Sequence, residues 1–262
     1  MIHKYKFLLL LIFAYSVFFS QQKDYSFGYR LEYTPDSTDI LNTKVEDFTL
    51  FIDKGKSYFV SDNFLKRDSI LKSLEKSQNF NFTFLKTPNT RFKSVIIKEN
   101  TNISFYDNVL KYYFSYQENT KFAWNIFPDK QKIGEYNVQK ATTEYGGRKW
   151  TAWFTTDLPY QDGPYKFGGL PGLIVSIEDI NNNYRYELIS IKKKSLPENV
   201  IFTEKYLKQH KEISKEDYIK TMKNINDNMI NEAASNGLTI SPESMEQVKK
   251  NLSKRNNPIE LK

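Results

Sequence analysis

The sequence predicts an α+β protein that is mainly β: a large curved antiparallel sheet, shaped as a half-barrel, with one crossing helix and a helical C-terminal arm. Three observations carry this expectation. Aromatic and aliphatic residues alternate with polar ones in many short runs, the period of half-buried strands. Glycine and asparagine turns separate those runs. After Leu196 glycine becomes rare, and apolar residues recur at helical spacing.

The first run, Tyr25 to Tyr33, puts Tyr25, Phe27, Tyr29, Leu31 and Tyr33 on one face. Asp47 to Asp53 and Lys56 to Ser61 follow as a hairpin around Asp53-Lys-Gly-Lys56. Asn63 to Ser77 changes period: Phe64, Ile70, Leu71 and Leu74 approximate helical spacing, so a helix is expected there, filling the mouth of the half-barrel. Strands resume at Phe92 to Glu99, Ile103 to Tyr106 and Lys111 to Tyr116, with a break at Asn108. Phe122 to Phe127 is short and apolar. Lys132 to Tyr145 and Arg148 to Thr156 form the clearest hairpin, joined by Gly146-Gly147. Ile174 to Ile180 and Tyr184 to Lys193 form another across Asn181-Asn-Asn183. In the arm, Ser214 caps a helix with Tyr218, Met222, Ile225 and Met229 on one face. Ser241-Pro242 then starts a second, lined by Met245, Val248 and Leu252.

The expected organisation is a signal peptide over 1–20, an antiparallel β domain over 21–196 and the arm over 197–262. His3, Lys4 and Lys6 precede an apolar stretch, Phe7 to Phe19, too short to span a bilayer comfortably, with Ser20 before the cut. The chain is therefore expected to be exported, to the periplasm or beyond. It has no cysteine, which excludes a disulfide, a thiol nucleophile and an acylated N-terminal cysteine. The net charge of +7 suits peripheral contact with an anionic membrane surface, although a solvated lysine-rich surface is the simpler account of it. No nucleic-acid motif is present. Aromatic residues make up 16% of the chain, enough to fill a β core.

The segment Gly163-Pro-Tyr-Lys-Phe-Gly-Gly-Leu-Pro-Gly-Leu-Ile174 is rich in glycine and proline yet apolar, so it must follow one bent, packed path. Its core, Gly169 to Ile174, resembles the signature of the GLPGLI family of exported Bacteroidota proteins. Trp124-Asn-Ile126, Ile133-Gly134, Tyr136 and Gln139-Lys-Ala-Thr142 resemble that family's central hairpin, and Gly147-Arg148 with Ala152-Trp-Phe154 its second strand. Leu158-Pro159, Gly163-Pro164, Lys166-Phe167, Asp179 and the ending Asn257-Pro-Ile-Glu-Leu261 extend the likeness. The resemblance implies a family and a compartment but no reaction. Many relatives carry a cysteine near Tyr136-Asn-Val-Gln139, where this chain has Val138, so a thiol role cannot operate here. The hairpin pattern is also similar to lipoprotein-carrier half-barrels of the LolA type, a likeness of fold alone.

Catalytic residue sets are poorly supplied. After signal removal His210 is the one histidine, on a lysine-rich stretch expected to be an exposed helix. No Gly-x-Ser-x-Gly elbow accompanies it, and a histidine-built metal site is excluded. Asp179-Ile-Asn-Asn-Asn183 begins like a calcium loop, but Tyr184 replaces the turn glycine and Ser190 the bidentate glutamate, leaving an asparagine turn. Asp157, Asp162, Glu178 and Asp179 lie near the signature; a hydrolytic pair among them requires separations that sequence does not give.

The candidate ligand-binding residues are Arg148, Trp150, Trp153, Tyr165, Phe167, Leu170 and Leu173. Arg148 and Trp150 share a strand face, so a guanidinium beside an indole could hold an anionic head while the ring covers an acyl chain; Trp153 falls on the other face. Lys166 and Lys192-Lys-Lys194 add charge. The signature has two readings: a buried crossover that pins the sheet, or the apolar lip of a cavity. The leading expectation is a non-enzymatic protein, without catalytic residues, metal or cofactor, that holds an apolar ligand, a lipid or an envelope-protein segment on the curved sheet. A scaffold docking through the basic arm and a carboxylate-dependent envelope hydrolase are the alternatives.

Overall fold

The computed structural model describes residues 25–77, 87–235 and 241–262. The expected signal peptide lies outside them. Twelve strands form one open sheet: β1 (Tyr25–Tyr33), β2 (Lys44–Asp53), β3 (Lys56–Ser61), β4 (Val95–Glu99), β5 (Asn102–Val109), β6 (Tyr112–Asn119), β7 (Asn125–Ile133), β8 (Tyr136–Tyr145), β9 (Arg148–Thr155), β10 (Leu173–Asp179), β11 (Tyr184–Lys193) and β12 (Lys211–Glu212). Their spatial order is β12-β6-β5-β4-β3-β2-β1-β11-β10-β9-β8-β7. All pairs are antiparallel except β12, which runs parallel to β6. The chain thus builds one wing outward from β1 to β6, crosses to the far rim at β7, and returns through β11 to close against β1.

Turn chemistry sets the hairpins. Lys54 and Gly55 join β2 to β3 with φ of 48° and 80°, and Gly146 and Gly147 join β8 to β9 with φ of 59° and 79°. Two successive left-handed residues match the right-handed twist of the strands they connect. Two expected breaks move. Asn108 lies inside β5, and the chain reverses at Leu110 instead, with φ of 53°. The run expected as one strand from Lys132 to Tyr145 is split by Gly134, whose φ of 56° reverses the chain and creates β7. The apolar residues of β7, Ile126, Phe127 and Ile133, do not alternate with polar ones, so no period marked it.

Alternation sends two different sets of side chains to the two faces. The concave face carries Phe27, Tyr29, Leu31, Phe48, Leu50, Phe59, Ile96, Phe105, Trp150, Phe154, Ile177 and Tyr186, all buried. It is covered by the crossover 158–172. The opposite face carries Phe51, Val60 and Val95, covered by Phe64 of helix α1 (Asp62–Ser77) and by Ile201 of a short 3-10 turn, Val200–Phe202. Helix α1 therefore does not fill the mouth of the half-barrel. It follows β3 directly, and Phe64 falls where Phe51 and Val60 leave the back of the sheet bare.

Beyond residue 196 come α2 (Glu204–Leu207), β12, α3 (Lys215–Ser235) and α4 (Pro242–Ser253). Tyr218 of α3 packs on Phe105 and Tyr116, with ring centroids 5.5 and 5.2 Å away, and Ile225 is buried. The arm's apolar stripe is thus turned toward its own sheet at these positions; the side chain of Met229 lies outside the described residues. Helix α4 buries no residue fully, yet the strap that follows it, residues 256–262, returns to the concave side.

Candidate functional site

The crossover enters from Leu158 and leaves at Leu173 by one tightly specified path. A side chain on Gly172 would put Cβ 2.0 Å from the Thr155 carbonyl oxygen, and one on Gly163 would strike Ile174 at 2.7 Å. Only glycine permits these approaches. Lys98, on the concave face of β4, holds the entry. Its ammonium pairs with Asp162 and donates to the carbonyls of Gly163 (2.7 Å) and Phe167 (3.0 Å). Burial pulls the Lys98 pKa down, with Asp162 opposing the shift.

Phe167 then inserts into the sheet's aromatic face. It is fully buried, 4.8 Å from Trp150 and 5.4 Å from Phe122 by ring centroid. Leu170 and Leu173 are buried beside it, and Trp124 donates its indole N–H to the Gly168 carbonyl at 2.9 Å. Of the seven expected ligand-binding residues, six therefore come together on the concave side: Arg148, Trp150, Tyr165, Phe167, Leu170 and Leu173. Trp153 lies on the opposite face, half-exposed, as its spacing from Trp150 requires.

Two buried ionic nodes hold the strap over this cluster. In the first, Arg148 sits over the Tyr184 ring at 5.0 Å rather than on Trp150. It pairs with Asp179 at 2.9 Å, donates to the Asn257 side-chain oxygen (2.6 Å), and donates to the carbonyls of Pro258 (2.6 Å) and Ile259 (3.0 Å). Its fork is thus engaged with the protein's own groups. In the second node, the ammonium of Lys166, fully buried, lies 2.6 Å from both Glu118 and Glu260 and donates to Tyr116 at 2.6 Å. Lys215 joins at 3.1 Å from Glu118 and 2.5 Å from Glu260. Tyr145 donates to Glu118 at 2.7 Å, and Tyr165 donates to Glu260. Burial pushes the Glu260 carboxyl up, but Lys166 and Lys215 outweigh it and hold the group below its usual range. Burial and the Glu260 charge push the Tyr165 phenol far up, so it stays a donor.

Lys166 is the residue whose role the sequence understated. A lysine inside an apolar Gly/Pro segment was the available signal, since a buried ammonium requires carboxylate partners. Glu118 carried none, and Glu260 was marked only as part of the ending Asn257-Pro-Ile-Glu-Leu261, both being remote in sequence from Lys166. His210 also departs from expectation. It is not on an exposed helix but buried after α2, with Tyr106, Tyr113 and Tyr206 rings 5.3, 5.3 and 5.0 Å away. Its Nδ1 faces the carbonyls of Tyr206 and Leu207, and burial lowers its pKa.

The carboxylates near the signature are dispersed. Asp162 is spent on Lys98 and Asp179 on Arg148 and the Tyr184 N–H. Glu178 faces Arg185 on the opposite side of the sheet, and Asp157 is exposed in a turn.

Comparison with known proteins adds the following. A family model described as a protein of unknown function, Porph_ging, matches residues 146–176. That stretch runs from the β8–β9 turn through the crossover, and the domain is associated with Bacteroidota. No curated protein matches the chain. Among solved structures it is similar to PNGF-II in a P21 crystal form, with a TM-score of 0.50 and 19% identity over 76% of this chain and 32% of that one. This chain thus spans about a third of that neighbour's length, and at such identity the likeness is one of fold alone. An outer membrane lipoprotein-sorting protein domain from Vibrio parahaemolyticus aligns with a TM-score of 0.33 and 9% identity, over 72% of this chain and 93% of that one.

Proposed function

We propose that this is an exported, non-enzymatic binding protein of the GLPGLI family, periplasmic or secreted after signal cleavage, that binds an extended segment of an envelope protein at the rim of its curved sheet. The observation carrying this reading is strand β7. All of its residues are exposed except Ile133, its outer edge has no partner strand among the described residues, and Ile126 and Phe127 stand 49% and 39% exposed beside it. An unpaired edge offers a row of backbone donors and acceptors, which is how sheets accept a strand from another chain. The opposite rim is different: the two-residue strand β12 pairs with β6 at Phe114 and Ser115, and His210 packs on Tyr113 beside it.

A lipid or other apolar ligand on the concave face is the second form of the reading. The aromatic cluster there favours it, while the crossover, which already covers that cluster, favours the rim. The dispersed carboxylates support a role without catalysis. Photo-crosslinking from position 127 of the exported full chain separates the two forms. The rim reading expects adducts to an extended apolar peptide, lost with Ile126→Lys. Absence of adducts, together with a lipid that co-purifies stoichiometrically in native mass spectrometry, would replace it with the lipid form.

A further inference from the structure

We propose that the β8–β9 turn, with Arg148, Lys166 and Glu118, is a peptide-recognition site, and that the strap 256–262 is its exchangeable ligand, bound in cis. The site is separate from the β7 rim and does not depend on it.

Nearly every polar group of the strap is read by a dedicated partner. The Asn257 side chain accepts from Arg148 and donates to the Thr34 carbonyl (2.7 Å) and the Asn183 side-chain oxygen (3.0 Å). Its carbonyl accepts from the Tyr184 hydroxyl at 2.6 Å, and its N–H donates to Pro35 O at 3.2 Å. Arg148 takes the next two carbonyls. Glu260 is met by Lys166, Lys215, Tyr145 and Tyr165. The Leu261 N–H donates to the Gly146 carbonyl at 2.7 Å. The turn is shaped for this backbone: a Cβ on Gly146 would lie 2.9 Å from Glu260 Cγ, and one on Gly147 3.1 Å from Leu261 Cβ. Side chains that read alternate positions while backbone groups pair are the means by which proteins bind extended peptides.

Two features make the ligand exchangeable. The helix before it, α4, buries no residue fully, so the strap is held by its own contacts. The ionic node is balanced only with the strap in place, two lysines against Glu118 and Glu260; without Glu260 it keeps one uncompensated cation. The vacated site would therefore select an acidic residue three positions after an asparagine.

The test uses the full chain carrying Asn257→Ala and Glu260→Ala, titrated with a fluorescein-labelled peptide Asn-Asn-Pro-Ile-Glu-Leu-Lys and read by anisotropy. Saturable binding is expected. It should weaken about ten-fold or more when the peptide's Glu is changed to Gln, and weaken similarly in the unsubstituted chain, whose own strap competes at high effective concentration. Absence of binding to a variant that still melts cooperatively overturns the proposal. Should the variant fail to fold, native-state hydrogen exchange of the unsubstituted chain decides. The Leu261 amide exchanging through a local opening, well before the β1 amides, supports an exchangeable ligand. Exchange of both only through global unfolding overturns it.

Discussion

The two faces of the sheet are covered by different means. The opposite face is sealed by a helix through Phe64 against Phe51, Val60 and Val95, ordinary apolar packing. The concave face is sealed by a crossover and a strap whose coverage depends on Lys98, Arg148 and Lys166, all buried. A helix satisfies its own backbone, whereas an irregular segment brings carbonyls that need donors. Lys98 and Arg148 supply those donors here, and Lys166 holds the strap through the Glu260 carboxylate. The comparison teaches that the cations mark where non-regular chain had to be laid over a core.

Four substitutions break or sharpen that contrast. Arg148→Ala strands Asp179 and three acceptors on the strap; a loss of about 4 kcal/mol is expected by denaturant titration. Phe64→Ala removes the ring that seals the helix-covered face, and about 3 kcal/mol should be lost, with the dependence on acid unchanged. An altered acid profile for that variant would mean that the two coverings are coupled.

Glu260→Gln should cost about 2 kcal/mol, since Tyr165 keeps an acceptor but Lys166 loses a charge. The native Glu260 pKa lies below its unfolded value of 4.5, so the unfolded chain binds more protons as the medium is acidified. Its contribution is complete above about 4.5 and disappears as pH falls through the folded value. Melting temperature against pH should therefore flatten below about 4.5 in Glu260→Gln.

His210→Phe has the smallest expected effect, about 1 kcal/mol above pH 7, from the lost contact of Nδ1 with the Tyr206 and Leu207 carbonyls. His210 is a buried titratable group beside the helix-covered face, and its folded pKa is below the ordinary 6.5. The unfolded chain takes up the proton first, so stability is lost as pH falls below about 6.5 toward the folded value. Phenylalanine should remove that slope. Persistence of the slope would assign it elsewhere.

Much of the fold was legible because strand alternation and turn glycines are local signals. Tyr25 to Tyr33, Asp53-Lys-Gly-Lys56 and Gly146-Gly147 each stand where the pattern puts them. Strand β7 was not legible, since a solvated edge has no buried face to alternate with. The placement of α1 was missed because periodicity gives a helix its apolar stripe but not the face it meets. For the candidate site, the clustering of Trp150, Phe167 and Leu170 followed from an apolar Gly/Pro run that had to pack. The pairing of Glu118 and Glu260 with Lys166 stayed invisible, although Glu260 stood in the ending Asn257-Pro-Ile-Glu-Leu261, because nothing local distinguishes a carboxylate that will be paired across the fold from one that faces water.

Strand β1 pairs with β2 on one side and with β11 on the other. The first described strand is thus a central one, and its second neighbour follows only after nine other strands have been made. Until Tyr184 to Lys193 arrives, the nascent chain presents Phe27, Tyr29 and Leu31 along a bare border, the kind of surface that seeds association between chains. Whatever keeps that border apart from its copies during synthesis must act before the penultimate strand does.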